Sequence, residues 1–119
     1  MKSEILDWSA GKIASHIGTG RITAVEVVKT FVDRIEKVNP VINAVCTLNE
    51  KALQEAESID IRRASGQPVR DLEGVPFLVK DILQTKGLRT TFGSLLMENY
   101  IPDEDTVSVE RLRNAGGIL

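Results

Sequence analysis

The chain has 119 residues, 42% hydrophobic and 27% charged, a mix that belongs to a globular domain and excludes a disordered tail or a fibre; a chain of this length buries roughly two thirds of its unfolded surface on folding. Its 15 Lys and Arg are dispersed among 17 Asp and Glu for a net charge of -2, so no concentrated positive field exists to hold phosphates, and nucleic acid is not an expected partner. With one cysteine, Cys46, and one histidine, His16, an internal disulfide and a framework of thiolate metal ligands are excluded, and no cofactor or metal is expected.

From Met1 to Trp8 charged and apolar residues alternate, and no apolar run reaches the length of a signal segment or a spanning helix. The sequence therefore reads as a cytoplasmic protein without a membrane partner. Residues 1–66 are expected to be mainly helical. Ser9 can cap a short helix ending near Gly18, with Ile13 and Ile17 one turn apart. Thr23 and Glu26 form a T-x-x-E capping box ahead of Val28, Phe31, Val32 and Ile35, and this helix is expected to stop before Asn39-Pro40, because a residue preceding proline is pushed out of the helical region. Ala44 to Leu48 is rich in β-formers and reads as a strand. Asn49 is then expected to cap a helix that turns Ala52, Leu53 and Ala56 inward and closes at Gly66.

After the polar stretch Gln67 to Gly74 the helical period disappears. Val75 to Val79 is a near-continuous apolar run, as expected of a strand covered on both faces, and it meets Lys80 and Asp81 abruptly. A turn at Lys86-Gly87 leads to Thr90-Thr91-Phe92-Gly93, extended or irregular, and to a loop through Pro102. A last helix is expected from Asp105 or Thr106 through Val109 and Leu112 to Gly116, with Ile118 and Leu119 starting another strand. Strand, helix, strand in this order implies an α/β fold with a parallel sheet between helix layers, incomplete over residues 75–119.

Few residues offer chemistry. Gly18-Thr19-Gly20 lacks the third glycine of a dinucleotide-binding turn and joins two helices, so it reads as a loop. Ser94 follows Gly93 but no second glycine completes a nucleophile elbow. His16 reads as an ordinary helix residue, and the many acidic residues as solvated helix faces. Lys80 stands apart because it ends an apolar run. On a buried strand, desolvation would disfavour its ammonium form and make it a base near neutral pH, and alternation would turn Asp81 to the opposite face. The competing reading of the same spacing is a surface lysine snorkelling from a strand end.

The stretch Gly74-Val75-Pro76-Phe77-Leu78-Val79-Lys80-Asp81 resembles the G-[IV]-P-x-x-[VI]-K-D segment of the amidase-signature enzymes. Upstream, Thr23-Ala24-Val25-Glu26-Val27-Val28, Arg34-Ile35 and Asn39-Pro40-x-x-Asn43-Ala44 are similar to that family's first helices and the turn after them. Downstream, Thr90-Thr91-x-Gly93-Ser94, Pro102-x-x-Asp105 and Val109-Glu110-Arg111-Leu112 before Ala115-Gly116 follow in the family's order, with Gly117 where the family often has alanine. The resemblance covers nearly the whole chain and implies the amino-terminal part of the amidase-signature fold, helices followed by the first strands of a mixed sheet.

It further implies an amide-bond hydrolase with a Ser, cis-Ser, Lys triad, in which Lys80 matches the lysine and a small-molecule amide is the substrate. Both serines and the oxyanion segment lie downstream of the lysine in the family and are not among these 119 residues, so the chain alone is expected to be inactive, as a truncated piece of an amidase. A module that docks on a complementing, serine-bearing chain is the alternative, and an autonomous small-molecule binding domain ranks last.

Overall fold

A computed structural model describes residues 2–119, and their side chains from Glu4 onward. Its elements are α1 (Lys2–Ile5), α2 (Ala10–Gly18), α3 (Ala24–Ile42), α4 (Ala52–Ala64), a 3-10 turn (Leu95–Met97) and α5 (Val107–Asn114). Among the described residues, no helix is long and apolar enough to cross a membrane.

The helix starts follow local chemistry. Ser9 accepts from the Lys12 amide at 3.2 Å and opens α2, whose Ile13 and Ile17 are buried. The capping box of α3 is complete: Thr23 Oγ1 accepts from the Glu26 amide at 3.1 Å, and Glu26 accepts from the Thr23 amide at 3.0 Å. A second anchor comes from α4, where the Asp60 carboxylate accepts from the Ala24 and Val25 amides at 2.8 and 3.1 Å and binds two helices at one terminus. Helix α3 packs on α4 and on α1, and its Ala24, Val27 and Val28 meet Ile17, Ala56 and Ile59 in the core. Helix α5 starts at the Thr106 cap and buries Val109, as its sequence pattern requires.

Helix α3 does not stop before Asn39-Pro40; it runs to Ile42. Proline removes an interior donor and disfavours helix in the preceding residue, but here it falls in the last turn, where Asn39 compensates. The Asn39 side chain donates to Val45 O at 2.9 Å and accepts from the amides of Ala44 and Val45 at 2.9 and 2.8 Å. The helix then ends on Asn43 in the left-handed region at φ 48, a conformation asparagine tolerates. Helix α4 starts later than the Asn49 cap suggests. Asn49 accepts from the Lys51 and Ala52 amides through its side-chain and main-chain oxygens, and Ala52 is the first helical residue. Ala52 and Ala56 are buried as expected, but Leu53 faces outward, and Ile59 is buried in addition.

The expected strands are the main correction. Among the described residues no strand forms over 44–48, 75–79 or 118–119; the only pairing is an isolated parallel bridge between Pro76 and Ile118. Its bonds flank the proline, with Ile118 N donating to Val75 O and Phe77 N to Ile118 O, both at 2.9 Å. The direction is the parallel one that the strand, helix, strand order implies, and Pro76 occupies a position where this partner asks nothing of its missing N–H. Among the described residues no ladder bond continues beyond Phe77, and one isolated bridge does not make a strand. Among the described residues the run is not covered on both faces: Val75 is buried, whereas Leu78 is 68% exposed.

The turn into this segment is held by close packing. Gly74 has φ +75, and a Cβ there would lie 2.7 Å from Ile17 Cδ1 and 3.0 Å from Ala24 Cβ, so only glycine lets the chain pass over α2 and α3. Beside it Glu73, 2% exposed, accepts from the Arg70 amide, Nε and Nη2 at 2.8, 2.9 and 3.0 Å, with Arg62 Nε of α4 at 3.8 Å. This buried carboxylate departs from the solvated helix faces expected of the acidic residues. Burial pushes its pKa up, but the Arg70 hydrogen bonds and the Arg70 and Arg62 charges outweigh that and hold it below the usual carboxylate range.

Candidate active site

An open, mainly apolar groove of about 620 Å³ runs between the outer face of α3 and the segment leading to Lys80. Val32, Ile35 and Val38 of α3 form one wall and Phe77 to Asp81 the other, with residues 44–49 along one side. Ile35 belongs to the helical stripe read from the sequence, but it is only half-buried and lines this groove.

Lys80 lines the groove near the end of the extended segment, and its side chain is exposed, as is that of Leu78; Val79 and Asp81 between and after them are half-buried. The alternation expected of a strand is therefore present without the strand. The burial expected around Lys80 is not supplied by the described residues. Among them Lys80 makes no ion pair, and Asp81 does not neutralise it. The Lys80 carbonyl accepts from the Leu83 amide at 3.0 Å, so the chain reverses immediately after the lysine.

Asp81 is occupied elsewhere. Its carboxylate accepts from the Thr91 amide at 2.8 Å and from the Thr91 hydroxyl. Burial alone would raise its pKa; the Thr91 hydrogen bonds, the Cys46 side chain and the Arg89 charge overcome this and hold the carboxyl below its ordinary value. Arg89 ties the same corner together, donating to Glu98 O and Cys46 O, each at 2.9 Å. Thr91 is itself held, because Thr90 is buried with its hydroxyl 3.0 Å from Thr85 Oγ1 and its amide bonded to Tyr100 O. The next two residues, Phe92 and Gly93, have φ 54 and 68, and Ser94 N closes the turn on Thr91 O at 2.9 Å. Two successive positive φ values define a mirror-image type I turn, and phenylalanine in that region is strained.

The other candidates are structural. Ser94 caps the 3-10 turn by accepting from the Leu96 amide at 3.3 Å. Gly18 ends α2 and Gly20, at φ +73, turns the chain toward α3, so this glycine pair is the loop it was read as. His16 sits on α2 with Nδ1 3.0 Å from Lys12 O and its ring 4.7 Å from that of Trp8. Sequence reasoning missed the junction of Asp81, Thr91, Arg89 and Cys46. Its only sequence signal was the adjacency of Asp81 to Lys80 and the Thr90-Thr91 pair ten residues on.

The family model described as Amidase matches residues 26–119, most of the chain. This chain belongs to the amidase family. It is 44% identical over 111 residues to one of the subunits of the glutamyl-tRNA(Gln) amidotransferase of Bdellovibrio bacteriovorus, covering 93% of this chain and 23% of that protein. It superposes on the native peptide amidase from Stenotrophomonas maltophilia with a TM-score of 0.86 and 30% identity, over 92% of this chain and 23% of the other. A bacterial aryl acylamidase of the amidase-signature family matches with the same TM-score of 0.86 at 26% identity, over 94% of this chain and 24% of the other. The amidase chain thus spans about a quarter of the length of the relatives it matches.

Proposed function

We propose that these residues are the amino-terminal portion of a single amidase domain and that Lys80 is the general base of a Ser, cis-Ser, Lys amide hydrolase. The observation that carries the reading is the placement of Lys80, presented with a fixed backbone at the edge of a groove, within the G-V-P-F-L-V-K-D segment of a family member. In that scheme the neutral amine receives, through the cis-serine, the proton of the nucleophilic serine as the serine oxygen adds to the amide carbonyl. The same proton is returned to the departing nitrogen as the acyl-enzyme forms, and water then releases the acid. Because the groove is open, the apolar cover that would favour the neutral lysine comes from the rest of the domain. The 119-residue chain alone is accordingly proposed to show no turnover, and its substrate class is a small carboxamide.

The test is a chimera in which this chain replaces the matching quarter of the Stenotrophomonas maltophilia peptide amidase, with ammonia release from a peptide amide as the assay. The chimera is expected to hydrolyse the amide, the isolated chain is not, and Lys80→Met in the chimera is expected to lower turnover by roughly 10²–10⁴-fold, the range of a general base. A folded Lys80→Met chimera with undiminished turnover rules out the role of Lys80. A second reading, a module complementing a separate serine-bearing chain, is favoured by the breadth of the open apolar groove. Supplying the remaining three quarters of the peptide amidase as a separate polypeptide tests it, since activity on mixing requires docking across that groove.

A further inference from the structure

We propose that Asp81 is the positioning residue for Lys80, fixing the lysine's backbone to the Thr91 turn. This rests on the reading of Lys80 as the base. Among the described residues the last pairing bond ahead of the lysine is Phe77 N to Ile118 O. The next fixed points come after the lysine: the Leu83 amide on Lys80 O and the Asp81 carboxylate on Thr91. A long flexible side chain on an untethered backbone would sweep several ångströms, whereas proton transfer needs donor and acceptor at hydrogen-bond distance.

The anchor has the properties a positioning group requires. Asp81 accepts from both the amide and the hydroxyl of one residue, which sets orientation as well as distance, and its low pKa keeps it a carboxylate throughout the neutral range. Its partner is rigid on independent grounds, since Thr90 is buried and bonded to Thr85 and Tyr100, and Thr91 O closes the Phe92-Gly93 turn. The strained φ of Phe92 falls where the structure holds Thr91 toward Asp81. Alternation directs Asp81 away from the face that carries Lys80, so the carboxylate holds the lysine without forming an ion pair that would favour its ammonium form.

Two measurements test this. In the 119-residue chain, Asp81→Ala is expected to speed amide hydrogen exchange at Thr91 and Leu83 at least about tenfold while leaving Val27 and Val28 in α3 unchanged; unchanged exchange at Thr91 and Leu83 would overturn the anchor. In the chimera with the peptide amidase, Asp81→Ala is expected to lower kcat by roughly 30- to 100-fold with KM within about twofold. Thr91→Val is expected to lower kcat by roughly three- to tenfold, and Thr91→Ser to restore it, a rescue that a general loss of stability would not give. An Asp81→Ala chimera with unchanged kcat, or with KM alone altered, refutes the positioning role while Lys80→Met still reports on the base. If the unsubstituted chimera is silent or Lys80→Met is without effect, the reading of Lys80 falls, and this proposal falls with it.

Discussion

Replacing Glu73 by alanine probes the ionic latch that holds the chain's entry into the Lys80 segment. The carboxylate is nearly fully buried and accepts from Arg70 Nε, Arg70 Nη2 and the Arg70 amide within 3.0 Å, with Arg62 reaching it from α4. Breaking a buried ion pair costs about 3–5 kcal/mol when the remaining charge stays buried. Here the side chains of Arg70 and Arg62 are 34% and 39% exposed, so water takes up part of what the carboxylate gave them and the cost falls to about 2–3 kcal/mol. For a chain of this length that corresponds to a drop in Tm of about 10 °C. Glu73→Gln keeps an acceptor and the volume and is expected to lose about 1 kcal/mol less. Thermal unfolding followed by far-UV circular dichroism, with Arg70→Ala and the double variant completing a cycle, measures both the total and the coupling. A Tm within about 3 °C of the parent for Glu73→Ala, or a cycle without coupling, would show that water replaces the latch at no cost and refute the reasoning.

The junction of α3 and α4 gives a second test: Asp60→Ala leaves the Ala24 and Val25 amides without their acceptors and is expected to destabilise by about 2 kcal/mol, read as a lower urea midpoint at unchanged slope. Acid gives a third. Glu73 and Asp81 both have folded-state pKa values below the ordinary carboxylate range, so in the acid window the unfolded chain binds more protons and stability rises with pH. Their contribution is complete above the unfolded values near about 4 and is lost as pH falls through the folded ones. Tm is therefore expected to be flat from about pH 7 to about 5 and to fall below about 4, with a shallower fall in Glu73→Gln; equal slopes for the two proteins would remove Glu73 from the explanation.

The features legible in the sequence are those whose causes are local. Ser9, the Thr23 and Glu26 capping box and the stripe from Val28 onward each satisfy backbone donors or bury one face within a few residues, so their pattern is sufficient. The order of motifs around Gly74 to Asp81 likewise pointed to the amidase family before any contact was known. Features whose partners are far along the chain required the tertiary structure. Residues 75–79 have strand composition, but a strand exists only with neighbours, and one bridge to Ile118 is all that these residues provide. Asn39 extends α3 past a proline because its side chain finds Ala44 and Val45. Asp60, Glu73 and Asp81 look alike as letters on a polar background; one caps another helix, one is buried between arginines, and one fastens the turn beyond Lys80. The position of the lysine was legible in sequence, and its exposure and the carboxylate bonded to Thr91 beside it were decided by folding, because both depend on segments that meet only in three dimensions.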